Sequence, residues 1–600
     1  MGSPEESSRT SDLLFVVPAA LAAALVVRLG LVFAARLPYP YDLEWMEGGM
    51  LAHAWRLQHG LPLYTKPSAE WIPFIYPPGY SAVLAAAGSV FGLGAPLGRV
   101  VSLAGTALAT GSIAAIVARH GGSLVVGLLA AACWLGTYPD GGAFFDLVRT
   151  EALGTGLLLC AAALALDGRR GMAEAGGLVL ACAFLTKQNL AAFGLPLLVA
   201  ITRRDGAAAG ARFVATSAGP ALLITGVLQW RTEGRFLMYL LDVPASHPLV
   251  FPRAFPATPW ELGRALPALG AGAVVAAGVL GKRPLVVAVP ALVAGLVLLE
   301  RGGLGPLGLP HVAGVGSMGP LTSFVAMAFL AGGAAAAAAR RLDARVVVVV
   351  GVLAALALAL AVGGPEGLSP VSGPAAFSVV GAIASVGIAA AVVSGFSPAT
   401  GGVVGLAAVS IGVAMVMRAH LGGFVNVHLP MFALICVAGG LALARSRSVT
   451  PWLPAVVFTA QLAWAHARLS PEELVPSAQD RATGDAVVEV LRGVEGPVLS
   501  PYAPWLPVLA GKEPSWHLIS LWDTAEHKTG PFPGTGQVID RALKAHRWGA
   551  VADAQKTMGY GVRGAYTRSL PLTGDGFVPK TGWRTRPAVL RTAPETAPGR

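Results

Sequence analysis

Charge is scarce in this chain of 600 residues. Asp, Glu, Lys and Arg make up 12% of it, about half the roughly 25% of an ordinary soluble domain. With 54% hydrophobic residues and a mean hydropathy of +0.65, that scarcity excludes a soluble globular enzyme and points to a multi-span integral membrane protein. Cysteine is also sparse. Cys133, Cys160, Cys182 and Cys436 all lie in apolar runs, which excludes a disulfide framework and a thiolate metal site. No internal repeat and no phosphate-binding glycine motif is present. The net charge of +11 does not argue for nucleic acid, because the basic residues fall largely in short tracts between apolar stretches. Arg169-Arg170, Arg203-Arg204, Lys282-Arg283, Arg340-Arg341 with Arg345, and Arg445 with Arg447 have the placement expected of cytoplasmic loops.

The first apolar run, Leu13 to Ala35, follows acidic as well as basic residues and contains Arg28. It reads as a first transmembrane helix, not a removed signal peptide. Further runs fall near 99–118, 123–138, 150–167, 174–186, 188–201, 209–229, 264–281, 284–300, 317–338, 346–363, 375–395, 399–417, 429–444 and 450–468. Their many Ala and Gly residues suit close helix contacts. The short runs 174–186 and 188–201 read as tilted helices or as a broken pair meeting at Lys187-Gln188-Asn189. With the basic tracts inside, Lys187, the loop Arg231 to Glu261, the stretch Arg418 to His428 and everything after His466 fall outside. One conflict remains. Arg99 and the stretch before Pro77-Pro78 both fall outside, so the apolar run from Pro77 to Leu93 either turns back within the membrane or has a displaced boundary.

After Ser470 the composition changes. Helix-like segments near 486–494 and 537–546 alternate with strand-like segments near 496–500 and 548–553. They predict a small α/β domain outside the membrane, with a parallel sheet and an irregular Pro- and Thr-rich tail. The expected division is a membrane domain over 1–469, including an outer loop at 36–76, and a soluble domain over 470–600.

The chemistry concentrates between Tyr39 and Tyr80, where Asp42, Glu44 and Glu47 sit among aromatic residues ahead of Pro77-Pro78. Carboxylates are costly in lipid, so this segment belongs at a membrane face or on a polar cavity. Met50, Ala54, Leu57 and Leu61 recur at helical spacing after Glu47 and predict a short amphipathic surface helix ending near Gly60 and Pro62. Glu47 in its first turn is favoured by the helix dipole.

DLEWMEGG, followed by AWRLQHGLPLY and YPPGY, resembles the first outer loop of bacterial polytopic C-type glycosyltransferases that use polyprenyl-phosphate sugars, of the family 39 type. Asp146 to Glu151 and Leu185 to Asn189 resemble later elements of the same group. The resemblance covers roughly residues 10–470 and implies a mainly α, polytopic transmembrane fold carrying an extracytoplasmic domain. It also implies transfer of a sugar from a polyprenyl-phosphate donor to an envelope glycan, lipid or protein, by inverting single displacement, at a bacterial inner or plasma membrane. Many relatives carry an adjacent Asp-Glu pair at the start of the surface helix; here Met46 precedes Glu47, so the aspartate position is lost. The base is therefore divided among Glu47, which leads, then Glu44, then Asp42. Their alternative role is that of interfacial acids satisfying nearby Arg, Tyr and Trp.

The leaving phosphate needs cations or hydrogen-bond donors. Lys187 leads here, ahead of Arg149 and Arg418, each weighed against snorkelling at a helix end. Tyr76, Asp146, Glu151, His420, Asn426 and His428 complete the candidate substrate contacts. For Asp146 and Glu151 an Arg-acid capping network is at least as good a reading, and for the 418–428 cluster a structural outer loop is the better one. Trp505, Trp516, His517 and Trp522 read as packing against the membrane domain ahead of binding acceptor sugars. A divalent cation is compatible with this chemistry without being required by the sequence. The alternative functions are a lipid or glycoconjugate transporter and a noncatalytic assembly subunit.

Overall fold

In a computed structural model of the chain, residues 13–281, 397–525, 530–555, 557–572 and 576–594 are described. The runs and basic tracts expected between 282 and 396 lie outside the described residues. The rest is mainly helical. Among the described residues, five helices are long and apolar enough to cross a membrane, α1 (Val16–Arg36) being the first.

After α1 comes the predicted surface helix, α2 (Glu47–Gln58). It does not lie open on a surface, because its first two turns are buried on nearly all sides. Two glycines make this packing feasible. A Cβ on Gly48 would come within 2.9 Å of the Trp505 nitrogen, and one on Gly49 within 2.4 Å of the Phe74 ring. His53 then joins the helix to the loop that follows: its Nδ1 donates to Gly49 O at 2.7 Å and its Nε2 accepts from Phe74 N at 2.8 Å. That pattern requires a neutral ring, and burial accordingly lowers the His53 pKa to about 3.

Within residues 77–93 the chain forms α3 (Gly79–Phe91), which is followed by α4 (Ala95–Gly121). Thirteen residues rise about 20 Å, short of the roughly 30 Å of a bilayer core. Near its start the Tyr80 hydroxyl donates to Gly98 O at 3.2 Å, in the first turn of α4. The starts of α3 and α4 therefore lie together.

Next come α5 (Leu124–Leu135), α6 (Thr150–Ala165) and α7 (Met172–Thr186). Helices α4 and α6 cross with their backbones in contact: a Cβ on Gly156 would lie 2.3 Å from Gly105 O. Such an approach maximises packing where lipid offers no hydrophobic gain for association. The chain breaks at Lys187, whose backbone is extended, then makes a 3-10 turn over Gln188–Phe193 before α8 (Gly194–Asp205). The expected broken pair is thus present. Helices α9 (Ala207–Arg231), α10 (Pro267–Gly281), α11 (Pro398–Ala419), α12 (Leu429–Ser446) and α13 (Trp452–Arg468) complete the described bundle.

Basic tracts gather at one end of this bundle. Arg119 pairs with Asp167, Arg204 donates to Ala165 O, Arg445 to His120 O and Arg447 to Ser123 Oγ. Glu44, Glu47, Asp146 and Glu151 gather at the other end, held to Arg36, Arg99, Arg149 and Lys187.

Beyond Ser470, α14 (Ala478–Arg492) and α15 (Leu518–Ala525) precede α16 (Thr535–Lys544), and four short strands form a sheet. Its order is β1 (Val498–Leu499), β2 (Ala550–Asp553), β4 (Val589–Thr592), β3 (Arg568–Pro571). The β1–β2 pairing is parallel and the other two are antiparallel, so the sheet is mixed. The tail expected to be irregular contributes β3 and β4. Only four residues long each, they lack the run of alternation that reveals a strand in sequence. This unit covers the outer stretch: Trp516 Nε1 donates to Ala69 O, His517 Nε2 to Trp45 O and Thr581 N to Leu43 O, at 2.9, 2.9 and 3.0 Å.

Candidate active site

The three acids of the outer stretch occupy different environments. Glu47, fully buried, accepts from Arg99 at both carboxylate oxygens (3.2 and 2.9 Å), from Leu43 N at 2.5 Å and from Val148 N at 2.8 Å. Arg99 also donates to the carbonyls of Arg36, Tyr39 and Tyr41. Glu47 is thus the centre of a saturated staple between the outer stretch and α4, and it does not line the cavity described next. Asp42 is likewise off the cavity, and burial holds its carboxyl well above the usual carboxylate range.

Glu44 lines a cavity of about 1020 Å³ enclosed by the outer stretch, the N-terminus of α6, the break at Lys187, the 240–253 segment, the 416–427 turn and the C-terminal unit. Although only 2% exposed, it is unevenly bonded. Oε2 accepts from Arg149 Nη1 at 2.9 Å and from Met46 N at 3.1 Å. Oε1 accepts no hydrogen bond from the described residues. Burial raises the Glu44 carboxyl to about 7, with Arg149 opposing the shift and Glu47 adding to it. A carboxyl titrating there is placed to exchange a proton near neutrality.

Charge continues along the wall. Arg149 Nε lies 3.6 Å from Glu151 Oε2, while Glu151 Oε1 accepts from Lys187 Nζ at 3.0 Å and from Asn426 Nδ2 at 2.7 Å. The Tyr76 hydroxyl lies 3.4 Å from Arg149 Nη2. Four buried polar atoms here make no hydrogen bond with the described residues: Arg149 Nε, Glu151 Oε2, Gln188 Oε1 and Asn189 Oδ1. Burial leaves such atoms a large penalty unless a ligand or water satisfies them, and all four belong to residues that line the cavity.

Of the remaining candidates, Arg418 and His420 line the same cavity. Arg418 is held by both oxygens of Glu261 (2.9 and 3.2 Å) and donates to Gly423 O, so much of its charge is compensated. His420 Nε2 meets His247 Nδ1 at 2.9 Å, and His247 Nε2 lies 3.2 Å from Asp523 O, which joins three segments at the cavity wall. His428 and Asp146 do not line it. His428 is buried behind Glu261, 3.5 Å away, and Asp146 makes a two-point pair with Arg36 (2.6 and 3.2 Å) while accepting from Tyr138. Among the described residues, no three His, Cys, Asp or Glu side chains converge on a metal-sized site.

Sequence reasoning did not select Arg253, Asp523 or Trp583, all on the cavity wall. Arg253 stands in the loop Arg231 to Glu261, which the basic tracts place outside. For Trp583 no local signal existed, because its place depends on the tail folding back over Leu43.

No protein-family model matches the sequence, and no curated protein matches it. Among solved structures the chain is similar to ArnT from Cupriavidus metallidurans bound to undecaprenyl phosphate, at 15% identity and a TM-score of 0.45, covering 97% of this chain and 99% of that one. The apo state of that protein gives 15% and 0.37, over 96% and 97% of the two chains. The archaeal oligosaccharyltransferase AglB from Archaeoglobus fulgidus, in complex with an inhibitory peptide and a dolichol-phosphate, gives 12% and 0.41, over 88% and 69%.

Proposed function

We propose that the protein transfers a sugar from a polyprenyl-phosphate donor to an acceptor in the cell envelope, at the extracytoplasmic face of the membrane. The observation that carries this reading is a carboxylate with one oxygen unbonded by the described residues, on a cavity that also holds two cations and an apolar stretch of wall. The outer-loop motifs support the same reading, and so does the gathering of basic tracts at the opposite end of the bundle.

In this mechanism the acceptor hydroxyl attacks the anomeric carbon while Glu44 removes its proton. The bond from that carbon to the phosphate oxygen breaks, and the oxygen leaves with the electron pair. Arg149 and Lys187 stabilise the phosphate charge as it develops. A single displacement inverts the anomeric configuration. Leu240, Leu241, Val416, Met417 and Leu421 provide an apolar surface for the first prenyl units. Glu47 keeps the outer stretch in place and is assigned no proton transfer.

The pH dependence follows from Glu44. The base works only when ionised, so kcat/KM is expected to rise with pH through about 7 and level off above it. A profile flat from pH 5.5 to 8.5 would remove Glu44 as the titrating base. Lys187→Met removes a charge-assisted contact worth about 1.5–3 kcal/mol, so polyprenyl-phosphate binding is expected to weaken about ten- to hundredfold, with acceptor KM unchanged. A defect confined to the acceptor would contradict a phosphate role.

The reaction class is tested by offering the purified protein in lipid a panel of labelled polyprenyl-phosphate sugars and an envelope extract, then reading the product's anomeric configuration by NMR. Inverted product is expected. Movement of intact donor across the bilayer without glycosidic bond formation would favour the transporter reading.

A further inference from the structure

We propose that Trp583 is a stacking platform for a pyranose ring of the acceptor, so that the acceptor is a glycan. This rests on Glu44 being the base.

The first support is how the residue is held. Thr581 donates its backbone N and its hydroxyl to Leu43 O, both at 3.0 Å, and forms a bridge with Glu44. The next residue is Gly582, with φ +69°, where a Cβ would lie 2.9 Å from Glu44 Cγ and 3.0 Å from Oε1. A side chain would therefore collide with the proposed base and be strained in backbone as well. The C-terminal unit thus places the turn carrying Trp583 directly against Glu44.

The second is the state of the ring. Trp583 lines the cavity and remains 46% exposed. It is fixed edge-on against Trp45 (centroids 4.6 Å, 88°) and tilted against Trp522 (5.3 Å, 43°). A rigid, partly open indole is suited to the apolar face of a sugar, whose C–H groups pack on an aromatic face while its hydroxyls stay hydrated.

Position decides between the two sugars of the reaction. Arg149 approaches Glu44 at Oε2, whereas Gly582 approaches the Oε1 side. Arg149 thus holds one oxygen of the carboxylate, and the turn that carries Trp583 borders the other. The acceptor hydroxyl must reach the unbonded oxygen of the base, Oε1, and the Gly582–Trp583 turn borders that oxygen, which puts Trp583 on the acceptor side.

The test is binding of end-labelled gluco-, galacto- and manno-configured trisaccharides to the full chain in lipid nanodiscs, by fluorescence anisotropy. Wild type and Trp583→Phe are expected to bind at least one trisaccharide. Trp583→Ala and Trp583→Leu should bind it about tenfold more weakly, with polyprenyl-phosphate binding unchanged in all four proteins. Wild-type affinity in the Leu variant would show an apolar contact without stacking and overturn the platform. A loss of donor binding instead would assign the ring to the donor sugar and overturn the acceptor role. Failure of every trisaccharide to bind wild type would also overturn the proposal. Trisaccharide binding through Trp583 in a protein that transfers from no donor would retain the glycan platform and remove the transfer reading.

Discussion

Glu44→Gln is expected to lower kcat for sugar transfer by about 10²–10⁴-fold, with binding of the polyprenyl-phosphate donor changed less than about twofold, a change of only ~0.4 kcal/mol. Gln is nearly isosteric, and its amide oxygen can still accept from Met46 N and Arg149, the two partners that hold the side chain. What it cannot do is take a proton from an acceptor. Arg149 also keeps its second acidic neighbour, Glu151, so the cation is not left without compensation. Loss of transfer without loss of donor binding or thermal stability separates a missing base from a collapsed cavity. Equal losses in all three would mean that Glu44 is structural.

Glu47→Gln is expected to do the opposite and cost about 3–5 kcal/mol of stability, the usual result of removing one partner from a buried ion pair. Arg99 would keep its positive charge at zero exposure with its ion-pair partner gone. An amide offers one acceptor oxygen in place of the two that together serve Arg99, Leu43 N and Val148 N. Substituting Arg99 by Met as well is not expected to restore the loss, because the carbonyls of Arg36, Tyr39 and Tyr41 also depend on that guanidinium. Thermal unfolding in nanodiscs, followed by size-exclusion recovery, checks both variants. The Glu47 variant should keep measurable transfer in whatever fraction remains folded, and a stable, fully folded protein would contradict the staple.

These contrasting expectations show where sequence was informative. Apolar runs located the described helices of the bundle closely, since lipid demands long stretches and makes interruptions conspicuous. Lys187 was visible for that reason, as a polar break between two short runs. The acidic stretch was visible as carboxylates where lipid should be. Ranking its acids was a different problem. Glu47 occupies a helix first turn, a local feature that periodicity detects, whereas Glu44 lies in an irregular turn. What separates them is tertiary: Arg99 lies 52 positions beyond Glu47 and Val148 lies 101 beyond it, and no local pattern announces either contact. Likewise the run from Pro77 to Leu93 was ambiguous in sequence, and the Tyr80–Gly98 contact that joins the starts of α3 and α4 has no local pattern. Trp583 was least legible, since it reaches the cavity through a bridge to residues more than five hundred positions earlier.

The most direct test compares wild type, Glu44→Gln and Glu47→Gln in one single-turnover experiment, with a labelled polyprenyl-phosphate sugar bound to saturation and an envelope acceptor extract added. The expected result is transfer by wild type, donor retained untransferred by the Glu44 variant, and transfer in proportion to folded protein by the Glu47 variant. Wild-type transfer rates in the Glu44 variant, or selective loss of transfer in a well-folded Glu47 variant, would contradict Glu44 as the base.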